Sequence, residues 1–409
     1  MIAALLCTAL AACAPSATTV KNASGATVLH WYLGPDRVNA PALASACSQA
    51  SGGKYSIKVE PLPADADERH NLLVRRLTAK DPSIDLIGLD DSFTAEFADD
   101  QLLAPIRDDL AADYTKDAFP AAVKAASYGG SLVAAPWWLD PQVLWYRGTV
   151  AERAGLDMTK PVAWDTLLEG AARIGVSVEI DDINGRGAAD WVNALVADAG
   201  GKVVDGPGRK ATVGLSGEAA ASAASIIRFY RESKSGQGPS KEALTRFAST
   251  SGGFLVAPTS VLADPALAGV AADMKVAAYP TVKVGSPGIA PLAGVNLAVP
   301  LFAPHSELSF DAITCLTSDS TLAALMTSAG HSSSKSSTYV VPGVSASFPM
   351  ATVAKAAVQS GATVPQTPYW QLVRAGLQKT WLPLDSVSTA TTPRASQTTV
   401  TAMLAGELP

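Results

Sequence analysis

Short apolar runs that suit buried strands alternate with segments of helical spacing along most of the chain. Residues 27–32 have the pattern of a first strand, and a helix follows over about residues 40–50. Residues 67–80 space their leucines as a helix does, and residues 84–89 form an apolar run that ends at two aspartates. This alternation predicts an α/β fold. The length of 409 residues favours two or three domains.

The composition excludes two broad classes of protein. Hydrophobic residues make up 48% of the chain and charged residues 17%, which is the opposite of a disordered chain. The formal net charge is −6. A protein that binds a phosphate backbone would be basic, so nucleic acid is excluded as an expected partner.

The N-terminus has the pattern of an export signal. The chain carries no charge before Lys21, and small apolar residues lead up to Cys13 in the run LAAC, which has the form of a bacterial lipobox. The pattern predicts a signal peptide over residues 1–12, a lipidated Cys13 and a polar tether over residues 13–26. The protein would then be exported and anchored by lipid to the outer face of the cell membrane. A buried N-terminal helix is the alternative.

Export also changes how the cysteines are interpreted. Cys7 would leave with the signal peptide and Cys13 would carry lipid, which leaves Cys47 and Cys315 as an even pair in an oxidising compartment. A disulfide between them is the prediction. Two independent buried thiols are the alternative.

Catalytic and metal-binding motifs are absent or incomplete in the sequence. The chain has no zinc-protease, P-loop or nucleophile-elbow motif. Residues 332–335 match S-x-x-K, but the companion motifs of penicillin-binding enzymes are missing. Residues 181–185 resemble part of a calcium loop without its spacing or closing Glu, which indicates a solvated turn. We therefore predict no catalytic residue, no cofactor and no metal.

Aromatic and acidic side chains are placed at the ends of several predicted elements. Ligands of open α/β sheets bind beyond the carboxyl ends of the strands. Sugars suit such a site, because their C–H faces stack on aromatic rings while their hydroxyls donate to carboxylates. Trp145, Tyr146 and Trp164 have the pattern of core anchors. The candidate ligand-binding residues from this pattern are Asp36, Asp90, Trp137, Trp138 and Asp140.

Four segments resemble a known family. Residues 131–156 (SLVAAPWWLDPQVLWYRGTVAERAGL), 161–172, 191–205 and 280–300 are similar to the crossing segments and second lobe of bacterial solute-binding proteins of the maltose type, which serve ABC transporters. The resemblance implies the two-lobe periplasmic-binding-protein (Venus-flytrap) fold, with a hinge and an interlobe cleft.

The same resemblance implies how the chain is divided between the lobes. Residues 25–134 and 278–326 would form the first lobe. Residues 135–277 and 327–409 would form the second. Cys47 and Cys315 would then both lie in the first lobe, where a bond between them is sensible.

A closer likeness is to the trehalose-binding lipoproteins of actinobacteria, carried by ACSQASGGKYSI, IDLIGLDDSFTAEFAD and LWYR. That likeness also implies the pairing of Cys47 with Cys315. It implies sugar contacts by Asp90, Asp140, the backbone at Gly294 and Val295, and Arg374. Those relatives have an asparagine at the position of Asp140. They also carry a Trp and an Asn where this chain has residues 254–259 (FLVAPT), so another disaccharide stays open.

The expectation is a monomeric substrate-binding lipoprotein of an ABC sugar importer. It would capture a disaccharide, trehalose first, by hinge closure and deliver it to the transmembrane subunits of the permease. The alternatives are a binding protein for another di- or oligosaccharide, a catalytic envelope lipoprotein such as a glycosidase, and a structural envelope protein without a ligand.

Overall fold

The computed structural model describes residues 21–22, 25–182, 187–206 and 208–407. Within them, the strands in chain order are β1 Thr27–Leu33, β2 Tyr55–Pro61, β3 Leu86–Asp90, β4 Ser127–Tyr128, β5 Ser131–Leu132, β6 Ala135–Arg147, β7 Ser177–Asp181, β8 Val204–Asp205, β9 Thr212–Val213, β10 Pro239–Ser240, β11 Gly252–Pro258, β12 Met274–Ala277 and β13 Leu292–Ala298.

The α-helices of the same residues lie mostly between these strands and after the last of them. They are α1 Ala40–Ala50, α2 Ala66–Thr78, α3 Thr94–Asp99, α4 Asp108–Thr115, α5 Pro120–Ala125, α6 Gly148–Arg153, α7 Trp164–Arg173, α8 Gly187–Asp198, α9 Glu218–Glu232, α10 Ala243–Ala248, α11 Ser306–Leu316, α12 Asp319–Ala329, α13 Val344–Ser347, α14 Ala351–Ser360, α15 Trp370–Trp381 and α16 Thr392–Ala405.

The first lobe is built on β2, β1, β3, β13 and the first half of β6, in that order. β1 is parallel to β2 and β3, while β13 is antiparallel to β3 and β6. All five residues of β3 are buried, as expected for a strand covered on both faces. This arrangement confirms the strand predicted at residues 84–89.

The second lobe is built on the second half of β6 with β12, β11, β7 and β10. β6 is antiparallel to β11 and β12, and β7 is parallel to β11 and β10. Pro141 of β6 lies opposite Leu292 of β13, and the next residue, Gln142, lies opposite Pro258 of β11. One strand therefore runs through both lobes and changes partners at that point. The two-lobe α/β prediction is confirmed.

Each lobe has a core of large aromatic side chains. Trp31 and Trp137 are fully buried in the first lobe. In the second lobe Trp164 packs on Trp191, with ring centroids 5.6 Å apart. Trp145 is buried in a further cluster that joins β6 to the helices around it, so Trp145 and Trp164 are core residues as predicted.

The return from the second lobe to the first ends at β13. Tyr279 and Ala290 still pack in the second-lobe core. The backbone then exchanges hydrogen bonds with Ala362 before β13 starts at Leu292. The two sheets thus meet along β6 and at the start of β13, which positions the strand ends of both lobes around a common space.

Cys47 and Cys315 form a disulfide in the first lobe, as the cysteine arithmetic predicts. The bond joins α1 to α11, with an S–S distance of 2.06 Å. It closes a loop of 268 residues in sequence.

The predicted signal peptide, residues 1–12, and the predicted lipidation site, Cys13, lie outside the described residues. Among the residues that the structure describes, no helix has the length and hydropathy of a membrane span.

Candidate functional site between the two lobes

A cavity of about 400 Å³ lies where the strand ends of the two lobes meet. Its volume is within the range of small-molecule sites. The first lobe supplies the loop after β1, the end of β3 and the start of β13, and the second lobe supplies the end of β7 and α8. Of the predicted site residues, the ones that line it are Asp36, Asp90, Trp138, Asp140 and Gly294.

Trp137 and Trp138 are neighbours on β6, so their side chains point to opposite faces. Trp137 is 0% exposed and packs edge-on against Trp31 at 5.4 Å, in the first-lobe core. Trp138 faces the cavity and stacks on His331 with ring centroids 4.2 Å apart. The structure therefore places Trp137 away from the cavity. The expectation that both would line the site is corrected, because the pair belongs to a strand and not to a loop.

Asp90 ends β3 and is buried against Arg69 of α2. Arg69 Nε donates to Asp90 Oδ2 at 2.9 Å, and Nη1 donates to the carbonyl of Pro63 at 2.8 Å. Both side chains line the cavity. A buried carboxylate needs such a partner, and the arginine also fixes the orientation of the carboxylate at the cavity wall.

Asp140 organises a second buried polar group. Its Oδ2 accepts from His331 Nδ1 at 2.7 Å, and its Oδ1 accepts from the backbone N–H of Ser332 at 2.6 Å. This arrangement puts the imidazole proton on Nδ1. The other ring nitrogen, Nε2, is buried and has no hydrogen-bond partner among the described residues, and His331 lines the cavity. Ser332, from the S-x-x-K match, is a buried structural residue here.

Gly294 is required by the close approach of β13 to β6. A Cβ atom at this position would collide with the carbonyl oxygen of Trp138. Val295, its neighbour, is buried in the first-lobe core and does not line the cavity. The predicted sugar contact was with the backbone at Gly294 and Val295. Of these two residues, only Gly294 lines the cavity.

Arg374 of α15 lies outside the cavity lining. It is buried, and its Nη2 forms an ion pair with Asp67 of α2. Because α2 belongs to the first lobe and α15 packs in the second-lobe core, the pair joins the lobes. The structure thus gives Arg374 an interlobe contact where the resemblance implied a sugar contact.

The second-lobe wall is acidic where a solvated turn was predicted. Asp181 ends β7 and is only 7% exposed, and its Oδ1 has no hydrogen-bond partner among the described residues. Burial raises the pKa of Asp181 to about 6, with a smaller contribution from the carboxylate of Asp182, while Arg37 lowers it. The turn prediction was wrong for Asp181, because this residue closes a buried strand.

Aromatic side chains complete that wall. Trp191 of α8 and Tyr279 both line the cavity and are nearly fully buried. Burial raises the pKa of the Tyr279 hydroxyl well above its ordinary value. That hydroxyl has no hydrogen-bond partner within the described part of the chain, and its raised pKa keeps it neutral near neutral pH. No group of three or more possible metal ligands occurs among the described residues.

A family model for bacterial extracellular solute-binding proteins matches residues 50–322. The chain belongs to this family. A probable ABC transporter-binding protein of Deinococcus radiodurans is 28% identical over 172 residues, which is 39% of each chain. The chain thus spans well under two thirds of that relative.

Solved structures extend the likeness over the fold of this solute-binding protein. MalE3 of T. maritima, solved with maltose, is 20% identical with a TM-score of 0.75, over 93% of this chain and 100% of its own. The GacH receptor of Streptomyces glaucescens is 19% identical with a TM-score of 0.77, over 93% and 99%. The sugar-binding protein MalE of Xanthomonas citri is 16% identical with a TM-score of 0.78, over 93% and 98%. These structures share the two-lobe periplasmic-binding-protein fold.

Three functional candidates of this solute-binding protein were not found from sequence. Asp181 carries the same signal as Asp90, an aspartate that closes an apolar strand, and could have been found by it. In the sequence, Arg69 looks like any other cation on an amphipathic helix, and His331 precedes a serine-rich segment. Neither of the last two carries a local signal, because tertiary packing brings them to the cavity.

Proposed function

We propose that this protein is the substrate-binding component of an ABC sugar importer. The observation that carries the proposal is the cavity between the two lobes, which is lined by the aromatic ring of Trp138 and by Asp90 and Asp140. An aromatic face stacks on the apolar side of a sugar ring, and oriented carboxylates accept from its hydroxyls. The family match and the fold shared with sugar-binding proteins support the same proposal.

A disaccharide is the proposed ligand, and trehalose is the lead candidate. The volume of about 400 Å³ is sufficient for two sugar rings. Val256 and Pro258 of β11 line the second-lobe side, in the segment where the resembling lipoproteins carry a Trp and an Asn. The second ring would therefore meet different side chains there, and another disaccharide is the alternative.

Capture would proceed by closure of the lobes about β6. A ligand that contacts both lobes shifts the protein toward the closed form only to the extent that it binds the closed form more tightly than the open form. The closed monomer would then dock on the transmembrane subunits of the permease, and the lipid on Cys13 would keep it at the membrane. No bond in the sugar is made or broken, so the protein has no catalytic role.

A thermal shift assay of the purified protein tests this proposal. Trehalose, maltose, sucrose, glucose and longer oligosaccharides are added separately. A ligand at about 100 times its dissociation constant stabilises the folded form by roughly 2.7 kcal/mol, which is readily seen. We expect a shift with at least one sugar and recovery of that sugar unchanged. No shift with any sugar would overturn the proposal, and cleavage of the bound sugar would favour an enzyme.

A further inference from the structure

The backbone around His331 is held against the strand that runs through both lobes. Gly330 ends α12 in the left-handed conformation, with a φ of 74°, and His331 follows it directly. The carbonyl of the next residue, Ser332, accepts a hydrogen bond from the N–H of Leu139 in β6 at 2.9 Å. The position of His331 on the cavity wall is therefore set by the fold.

The surroundings of the His331 ring leave one of its two nitrogens without a partner. Trp138 covers one face of the imidazole, with ring centroids 4.2 Å apart, and Nδ1 lies 2.7 Å from Oδ2 of Asp140. The side chain is only 3% exposed, and Nε2 has no hydrogen-bond partner among the described residues. What remains for the cavity, which His331 lines, is the other face of the ring and the edge that carries Nε2.

Asp140 determines which nitrogen of a neutral His331 carries the proton. The backbone N–H of Ser332 donates to Asp140 Oδ1 at 2.6 Å, and a backbone N–H can only donate. The other oxygen, Oδ2, is an acceptor that faces Nδ1. A neutral imidazole bonded in this way has its proton on Nδ1 and an acceptor at Nε2.

An anchor for Asp140 would not need the second nitrogen of an imidazole. An amide or a hydroxyl would supply one donor to the carboxylate equally well. The imidazole instead adds a buried acceptor at the cavity wall, and a buried polar atom without a partner costs free energy. A sugar is rich in hydroxyl donors, so a bound sugar would remove this cost.

We propose that a hydroxyl of the bound sugar donates a hydrogen bond to Nε2 of His331, and that Asp140 is the positioning residue that keeps this nitrogen an acceptor. The inference rests on the proposed function and adds a residue that selects the ligand. A sugar that lacks this hydroxyl is rejected, because it leaves Nε2 buried and unpaired.

Nitrogen NMR of the histidine side chains, in isotope-labelled protein at neutral pH, tests the contact. The chain has four histidines, and His331 is the only one among the described residues that line the cavity. The signals of His30, His70 and His305 are therefore internal controls. Without ligand we expect the neutral form of His331 with its proton on Nδ1. Saturating trehalose, maltose, sucrose or glucose, whichever binds, should shift the Nε2 signal of His331 and leave the other three in place.

The variant Asp140→Asn tests the positioning role. The amide oxygen has to remain on the N–H of Ser332, because an NH2 group there would face another donor. The NH2 group then faces Nδ1 of His331, which becomes the acceptor, and the proton moves to Nε2. We expect NMR to show this change of tautomer, which a merely structural role of Asp140 does not produce.

Asp85 provides a matched control, because it has the same arrangement outside the cavity. Its Oδ2 accepts from the backbone N–H of His30 at 2.8 Å, and its Oδ1 lies 2.8 Å from Nδ1 of His305. Asp85→Asn should leave the His331 signals and the sugar affinity unchanged.

Calorimetry with single-deoxy analogues of the sugar that binds identifies the hydroxyl. The variant His331→Asn keeps a donor for Asp140 and removes Nε2. We expect one analogue to bind at least about tenfold more weakly than the parent sugar in the wild-type protein. In His331→Asn the same analogue and the parent should differ by less than about threefold, because the partner of that hydroxyl is gone. Should the variant not fold, the NMR response of the wild-type protein decides.

The outcomes separate the inference from the function on which it rests. A wild-type His331 with its proton on Nε2 or on both nitrogens overturns the inference and leaves sugar binding intact. The same holds for a His331 signal that does not move when a sugar binds, and for a deoxy effect that survives in His331→Asn. Binding of no sugar at all overturns both.

Discussion

Arg37 of the first lobe donates a hydrogen bond to Asp264 of the second lobe at 2.6 Å, and both residues line the cavity. Burial raises the pKa of Asp264, but the hydrogen bonds from Arg37 and from the backbone N–H of Ala266, together with the charge of Arg37, outweigh it and hold the pKa below its usual value. Each side chain is less than a quarter exposed. The pair is therefore partly shielded from water, and separation of the lobes would break it. It favours the form in which the lobes are together.

Loss of this pair should weaken sugar binding. We expect Arg37→Gln and Asp264→Asn each to reduce sugar affinity by about three- to tenfold, since a partly shielded pair contributes on the order of 1 kcal/mol to the closed form. Both residues line the cavity, so each single substitution also changes the surface that a ligand meets. A double-mutant cycle, measured by calorimetry, gives the coupling free energy between Arg37 and Asp264 in sugar binding.

The control for this cycle is an ion pair whose two residues lie on the same helix. Arg228 and Glu232 pair at 3.1 Å on the exposed face of α9. Arg228→Gln should leave sugar affinity unchanged. If the effects of the Arg37 and Asp264 substitutions add without coupling, the pair does not stabilise the closed form.

Trp137 and Trp138 should respond differently to the same substitution. Trp137→Leu leaves a cavity in the first-lobe core and should lower the free energy of unfolding by about 2–4 kcal/mol, with little change in sugar affinity. Trp138→Leu removes the aromatic face from the site and should weaken sugar binding by at least about tenfold. Urea unfolding and calorimetry on both variants check this. The opposite assignment of effects would show that Trp137, not Trp138, contacts the sugar.

The disulfide should contribute to stability without affecting the site. Replacing both Cys47 and Cys315 by serine should lower the free energy of unfolding by about 2–5 kcal/mol, because the long closed loop no longer restricts the unfolded chain. Neither cysteine lines the cavity, so sugar affinity should stay the same. Urea unfolding of the wild-type protein with reductant should match the double variant. An equal stability with and without the bond would contradict this prediction.

Much of the fold was predictable because local patterns dictate it. The apolar run at residues 84–89 became a fully buried strand, and the helix predicted over about 40–50 spans Ala40–Ala50. The pairing of Cys47 with Cys315 followed from counting the cysteines that remain after export. The strand and the helix follow from the spacing of apolar residues, and the disulfide follows from an even number of remaining cysteines. None of the three inferences requires knowing how the helices and strands pack together.

The site was predictable only in part, because its geometry comes from tertiary packing. Trp137 and Trp138 are equally aromatic, and both faces of β6 are covered, so hydropathy could not tell the core side chain from the cavity side chain. Arg69 reaches Asp90 across 21 residues, and His331 reaches Asp140 across 191. Such pairs depend on how α2 and the segment after α12 pack on the strands, and no local pattern encodes that.

The buried carboxyl of Asp181 should make stability depend on pH in a direction that can be worked out. Its pKa is about 6 in the folded protein and about 3.9 in an unfolded chain. Between these values the folded form binds more protons than the unfolded form, so the free energy of unfolding falls as pH rises. Below about pH 4 the carboxyl carries no penalty, and above about pH 6 the penalty is complete.

Asp181→Asn should therefore stabilise the protein near neutral pH. We expect a gain of about 2–3 kcal/mol in the free energy of unfolding at about pH 7, which disappears as the pH is lowered to about 4. Urea unfolding of both proteins across this range measures it, with Asp205→Asn as the exposed control. A difference that is the same at every pH would mean that Asp181 titrates as an ordinary exposed aspartate.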